Sequence, residues 1–223
     1  MNAAAPTRAF AATPAGILRP VAITAALAAV VEVRAFAATS GRVDGLVAGL
    51  AFGLGLLGIA LLAAAPRSLG QPPRSPGQPA MGPMRGLRRT ATALANGVAI
   101  GVAGGLLIVG LTVIGRVGIP GPMVFPVGDL GPWAAVTALV AIGEEAVLRG
   151  VLFDSLARFR GPLAAIVITS SVFALMHVPL YGWHVVPLDL GVGLVLGGLR
   201  LATGGIAAPA AAHLVADLAT RWL

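Results

Sequence analysis

The chain of 223 residues is 57% hydrophobic and only 10% charged, with a mean hydropathy of +0.94. A soluble domain carries about 25% charged residues, so this composition excludes a water-soluble globule. The absence of cysteine excludes a disulfide scaffold and any cysteine-bound metal. The net charge is +7, and the basic residues, all arginine, lie between apolar blocks. This placement favours cytoplasmic loops of a polytopic membrane protein and argues against a nucleic-acid partner.

Seven apolar segments predict membrane-spanning helices, because a bilayer core of about 30 Å needs roughly 20 apolar residues per helix. They cover residues 17–39, 44–65, 91–115, 133–156, 162–180, 189–203 and 205–222. We therefore expect an all-α bundle of about seven transmembrane helices, within a range of roughly six to eight. The first segment is the weakest, since charged residues leave only Pro20–Val31 uninterrupted. Its alternative is a cleaved signal peptide, with Ala35-Phe36-Ala37 as the cleavage-like triplet.

The sequence divides into three parts. Residues 1–65 form a predicted transmembrane hairpin, residues 66–90 a Pro/Gly/Arg-rich linker too broken for a helix, and residues 91–223 a membrane-embedded core. With the linker in the cytoplasm, the positive-inside rule predicts the N-terminus inside and the C-terminus outside. The arginines then placed inside are Arg8, Arg19, Arg67, Arg74, Arg85, Arg88, Arg89, Arg158, Arg160 and Arg200, against Arg34, Arg42, Arg116 and Arg221 outside.

Glycines four residues apart recur in three of the predicted helices. Such spacing is typical of membrane helices whose backbones approach closely. The glycines are Gly45, Gly49 and Gly53, then Gly97, Gly101 and Gly105, and finally Gly193 and Gly197.

The fourth span carries three ionisable residues, Glu144, Glu145 and Arg149. Each such residue costs about 2.5–3.5 kcal/mol at mid-bilayer, so we expect all three to face a protein interior. Glu145 and Arg149 are four residues apart with the acid first, the better orientation for an ion pair. Glu144 lies about 100° around the helix and is left for another partner. The alternative is one static polar clamp made of all three groups.

Two later spans carry further polar pairs at the same spacing. Phe173 and His177 share one helix face, and Pro179 is expected to end that helix just after His177. His213 and Asp217 share a face of the last span. The alternative for His177 is a hydrogen-bonded packing residue. The alternative for His213 and Asp217 is a hydrogen bond that only holds two helices together.

Of the other acids, Asp189 is predicted to be a helix N-cap. At about 1.5 Å of rise per residue, the polar groups of the three spans lie at depths that allow them to converge.

These motifs resemble those of a known family. Glu144-Glu145-x-x-x-Arg149-Gly150, Phe173-x-x-x-His177 and His213-x-x-x-Asp217 are similar, in the same order, to the motifs of the CPBP intramembrane proteases. That family includes the type II CAAX prenyl endopeptidases and bacterial lysostaphin-resistance-like proteins. The resemblance covers residues 130–220.

The resemblance implies hydrolysis of a peptide bond in a membrane-associated protein or peptide. Glu144 would be the general base that activates water, assisted by His177. His213 and Asp217 would form the pocket that stabilises the oxyanion.

The supporting residues would be Glu145, Arg149 and Phe173. The family's last motif often ends in Asn, so Asp217 is a departure. Asp217 either is protonated or orients His213, which then donates to the oxyanion.

The motifs do not decide whether the protein uses a metal ion. Glu144, His177 and His213 would supply three ligands of a catalytic zinc. We favour a mechanism without a cofactor, since the chain has no HExxH motif.

The competing functions are a proton-coupled transporter and a non-catalytic membrane scaffold or immunity protein. Buried ionisable residues also mark ion pathways, although the chain shows no inverted repeat of broken helices. The composition, without lysine and rich in Ala, Gly and Arg, indicates a bacterial protein. The sequence leaves the oligomeric state open.

Overall fold

A computed structural model of the chain describes residues 14–65, 83–115 and 129–222, and within these ranges all regular structure is helical. The elements are α1 (Pro14–Ser40), α2 (Gly45–Ala64), α3 (Pro83–Gly115), α4 (Leu130–Glu145), a π segment (Ala146–Leu152), α5 (Phe153–Arg160), α6 (Pro162–Met176), α7 (Val178–Tyr181), a 3-10 turn (Trp183–Val185), α8 (Val186–Thr203) and α9 (Ala207–Ala219). The helix α4, the π segment and α5 follow one another without a break. The prediction of an all-α polytopic bundle is confirmed.

Five helices in the described ranges are long and apolar enough to cross a membrane. They correspond to the predicted first, second, third, fifth and sixth spans: Gly16–Ser40, Gly45–Ala64, Thr90–Ile114, Pro162–Tyr181 and Trp183–Thr203. The predicted fourth span differs because regular α-helix gives way to the π segment after 16 residues, at the charged group. The predicted seventh span is a shorter apolar helix of 13 residues.

The segment that the sequence predicted to be a linker without helix ends earlier than expected. Helix α3 begins at Pro83, so the expectation of no helix in residues 66–90 was wrong for residues 83–90. A proline is compatible with the first helical position because that residue needs no backbone N–H bond. The rest of the predicted linker, residues 66–82, lies outside the described residues, as does the segment 116–128.

The hairpin of α1 and α2 packs directly on the core. Leu27 of α1 and Leu56 of α2 are fully buried in the same apolar cluster as Leu148 and Leu152 of the π segment. Helix α2 also contacts α4, and α1 contacts α5, α6 and α7. The hairpin is therefore one wall of the body that contains the polar residues.

Glycines make the closest helix contacts, as their spacing predicted. A methyl group built on Gly49 would lie 2.7 Å from Val136, and one on Gly193 would lie 2.9 Å from Ser170. On α3, a methyl group at Gly101 would overlap the carbonyl oxygen of Ala208 in α9. The further close contacts are at Gly53, Gly97, Gly105 and Gly197, whereas Gly45 has nothing near it.

Replacing Gly101 with alanine should destabilise the protein. The added methyl group would meet backbone of α9, and overpacking of this kind typically costs about 1–3 kcal/mol. The matched control is Gly110→Ala on the same helix, because nothing lies within 4 Å of a methyl group there. Alanine is favoured over glycine by about 1 kcal/mol in a helix, so this control should be neutral or stabilising. Thermal unfolding in detergent measures both, and equal midpoints would contradict the close approach of α3 and α9.

Candidate active site

The polar groups of the fourth predicted span lie where its helix changes form. The π segment begins immediately after Glu144 and Glu145, and it contains Arg149. All three side chains are buried, with residue exposures of 2%, 0% and 0%. A π segment widens the helix locally and is frequent at functional sites. No sequence signal predicted this change of helix form.

Glu145 and Arg149 form the ion pair that their spacing predicted. Arg149 Nη1 donates to Glu145 Oε1 at 2.7 Å, and both side chains are inaccessible to solvent. The second guanidinium arm, Nη2, donates to the carbonyl oxygen of Gly193 in α8 at 3.0 Å. The pair therefore also holds α8 against the π segment. For these two residues, this arrangement is the static polar clamp that was the alternative to a functional role.

His213 of α9 lies among three carboxylates. Its Nδ1 is 2.9 Å from Glu145 Oε1, the same oxygen that accepts from Arg149. Its Nε2 is 3.5 Å from Asp217 Oδ1 and 3.7 Å from Glu144 Oε2. The predicted proximity of His213 and Asp217 is thus observed. The contact with Glu145 was missed, because nothing in the sequence links two residues 68 positions apart.

The Glu144 carboxylate, unlike that of Glu145, is not engaged in hydrogen bonds with the residues that the structure describes. Within the described ranges it makes no hydrogen bond, and its Oε2 lies 3.7 Å from His213 Nε2. The side chain is 3% exposed. Its oxygens are therefore free to hold a water molecule or a polar group of a ligand.

His177 lies between α6, which ends at Met176, and the short helix α7. The helix break is therefore at His177 itself, and Pro179, which was predicted to end the helix, occupies one of the first two positions of α7. Nδ1 of His177 is 3.0 Å from the Phe173 carbonyl oxygen and 3.3 Å from Asp189 Oδ2. Asp189 lies inside the first turn of α8, whose N-cap is Val185, so its assignment as an N-cap was wrong. It is instead a charged neighbour of His177.

One aromatic ring contacts both histidines. The Phe173 ring lies edge-on to His177 at 4.8 Å and to His213 at 5.3 Å between ring centroids. Arg149 Cζ lies 4.9 Å from the centre of the same ring. Phe173 is thus the apolar wall that holds the two imidazoles on one surface, beyond the single contact with His177 that its spacing predicted.

Exposure increases along the polar cluster in one direction. The Glu145 and Arg149 side chains are inaccessible, those of His177 and Asp189 are 16% and 19% exposed, and that of Asp217 is 36% exposed. The exposed members lie near the end of α6, the start of α8 and the end of α9. The cluster therefore opens at that end of the bundle.

Glu144, His177 and His213 are the three residues considered as metal ligands. The described ranges contain no group of three or more His, Asp or Glu side chains suited to hold a metal ion. Nδ1 of His213 contacts Glu145 and Nδ1 of His177 contacts the Phe173 carbonyl oxygen, which leaves Nε2 of each ring for other contacts.

The fold and the cluster together define an integral membrane protein with a polar site buried between its helices. Residues 126–219 match the family model described as Rce1-like, type II CAAX prenyl endopeptidase Rce1-like. This part of the chain is therefore similar to the type II CAAX prenyl endopeptidases, a family of hydrolases, as the motifs predicted. Comparisons with curated proteins and with solved structures gave no match.

Proposed function

We propose that the protein is an intramembrane endopeptidase that hydrolyses a peptide bond of a membrane-associated protein or peptide. One observation carries the proposal. In an Rce1-like domain, the buried Glu144 carboxylate has no hydrogen bond within the described ranges and lies beside His213 in a cluster open at one end. A general base needs such free oxygens within reach of a water molecule.

In the proposed reaction, Glu144 takes a proton from water as the water oxygen bonds to the carbonyl carbon of the substrate. The carbonyl oxygen becomes an oxyanion, to which His213 donates from Nε2. When the tetrahedral intermediate collapses, the C–N bond breaks and the proton moves from Glu144 to the leaving amine. Donors fixed in a water-poor site stabilise such an oxyanion more than water does.

His213 is the proposed oxyanion donor because both of its ring nitrogens face carboxylates. In its charged form an imidazole donates from both nitrogens. Its contact with Glu145 fixes the ring, and Asp217 beside Nε2 supports the charge. This assignment gives Asp217 a supporting role where the family often has Asn.

His177 is proposed to assist by binding the attacking water. In the tautomer with a proton on Nδ1, it donates to the Phe173 carbonyl oxygen, and Nε2 is then an acceptor. Phe173 keeps this ring on the same surface as His213.

The proposed reaction uses no metal ion. We expect metal analysis of the purified protein to find no stoichiometric zinc, and cleavage to persist after exhaustive chelation. The reason is that the described ranges contain no group of three or more His, Asp or Glu side chains suited to hold a metal ion, and that none of the proposed steps needs one. Loss of cleavage on chelation with recovery on addition of zinc would contradict this expectation.

We propose a bacterial cytoplasmic membrane as the location, with the N-terminus inside, on the strength of the arginine distribution. The absence of cysteine makes labelling of single-cysteine variants direct. Cysteine at Val43, in the exposed turn between α1 and α2, should react with an impermeant maleimide added to intact cells. Cysteine at Ser75 in the predicted linker should react only after lysis, and the reverse pattern would contradict the orientation.

Comparative proteomics of native membranes tests the proposed function. Cells with the wild-type protein should contain a cleaved product, and cells with Glu144→Gln should accumulate its uncut precursor. A scaffold or immunity protein would leave the membrane proteome unchanged by this substitution. A proton-coupled transporter would instead show a pH-driven ion flux in liposomes containing only the purified protein.

A further inference from the structure

We infer that Arg34 of α1 forms an anion-binding subsite at the opening of this cluster and takes a carboxylate group of the substrate peptide. The inference rests on the proposed peptidase function and deepens it. Arg34 lies outside the matched residues 126–219 and outside all three motifs.

The fold brings Arg34 to the opening of the site. Helix α1 contacts α7 and the π segment, which carry groups on two sides of the cluster. The Arg34 guanidinium lies within electrostatic reach of Glu144 inside the cluster and of three side chains nearer its opening, which are His177, Tyr181 and Asp217.

The side chain of Arg34 is turned towards the protein. Its Cζ lies 4.5 Å from the centre of the Phe52 ring, and Phe52 of α2 is only 3% exposed. The preceding residues Glu32 and Val33 are exposed, whereas Arg34 is half-buried. A guanidinium stacked on an aromatic face is held in place while its N–H donors stay available at its edge.

Arg34 lacks the carboxylate partner that Arg149 and Arg200 have. Arg149 pairs with Glu145 at 2.7 Å, and Arg200 pairs with Asp154 at 2.8 Å. In the part of the chain that the structure describes, Arg34 makes no ion pair. An ionisable group inside a membrane protein is costly and marks a functional site by default.

The geometry favours a peptide carboxylate as the missing partner. The guanidinium fork matches a carboxylate with two parallel hydrogen bonds. Asp189 and Asp217 at the opening would repel an approaching anion, so a cation beside them is needed if the substrate carries one. A lipid phosphate is the less suitable partner, because Arg34 is half-buried and stacks on a buried ring of α2.

The test compares two fluorescent lipidated peptides of identical sequence, one with a free C-terminal carboxylate and one with a C-terminal amide. Binding is measured to purified Glu144→Gln protein, so that cleavage does not intervene. We expect the amide to bind about tenfold more weakly or worse, as for one lost charge-assisted interaction. Adding Arg34→Gln should remove this preference, and adding Arg34→Lys should leave part of it. The matched control is Arg42→Gln, which changes an exposed arginine of the α1–α2 turn and should leave the preference intact.

Equal binding of the two peptides to protein with Arg34 intact would overturn the inference, whether or not the Arg34→Gln variant folds. So would a preference that survives both Arg34 substitutions in folded protein. If Arg34→Gln instead weakens binding to vesicles rich in phosphatidylglycerol, equally for both peptides, the partner is a lipid headgroup and the inference is wrong. Cleavage that persists in Glu144→Gln would overturn the proposed function and leave this binding result unaffected.

Discussion

Glutamine at position 144 should lower the rate of peptide cleavage by about 10²–10⁴-fold, the usual contribution of a positioned general base. The substitution keeps the size and shape of the side chain and removes its ability to accept a proton. Within the described ranges Glu144 makes no hydrogen bond, so its replacement leaves no partner of the carboxylate unsatisfied. The rate should therefore fall without a matching loss of stability. Purified wild-type and variant protein in proteoliposomes, assayed with the peptide identified by proteomics, give the measurement.

The matched control for this prediction is Glu32→Gln. Glu32 is an exposed glutamate on α1 that belongs to none of the motifs, so its replacement should leave the rate unchanged. Thermal unfolding of both variants should coincide with that of the wild type. Unchanged cleavage in folded Glu144→Gln would remove the basis for the proposed mechanism.

The largest effect on stability is expected for Arg149→Met. Both members of the Glu145–Arg149 pair are inaccessible to solvent, and Arg149 also serves the Gly193 carbonyl oxygen. Removing one partner of a buried ion pair typically costs about 3–5 kcal/mol. In Arg149→Met the buried Glu145 carboxylate would keep only its contact with His213. Denaturant titration of the purified protein measures the loss.

Two further variants distinguish the loss of the ion pair from a general effect of removing an arginine. Arg158→Met changes an exposed arginine on α5 and should alter stability by no more than about 0.5 kcal/mol. The double variant Glu145→Gln with Arg149→Met should recover part of the loss, since the buried carboxylate is removed together with its arginine partner. A double variant no more stable than Arg149→Met alone would argue against the buried pair as the source of the effect.

The sequence predicted the features that depend on neighbours along one helix. The Glu145–Arg149 ion pair and the contact between Phe173 and His177 both follow from the four-residue period of a helix. The helices themselves followed from hydropathy, and the close contacts at Gly101 and Gly193 from the spacing of small residues. These signals are local, so one sequence is enough to show them.

The features that the sequence did not predict depend on how separate helices meet. His213 reaches Glu145 across 68 residues, and Asp189 lies beside His177 because α8 packs on α6. Arg34 was predicted only to lie on the outer side of the membrane, since nothing in its own helix shows that α1 borders the polar cluster. The π segment is a further omission, because no residue pattern distinguishes it from ordinary helix.

The single oxygen atom that Arg149 and His213 share has a mechanical consequence. Because Oε1 of Glu145 accepts from both, a shift of the guanidinium is transmitted to the imidazole. Arg149 is in turn tethered to the backbone of α8 at Gly193. A ligand or lipid that displaces α8 would therefore change the orientation of the His213 imidazole without contacting it. The rate of turnover would then depend on forces applied at the outer surface of α8.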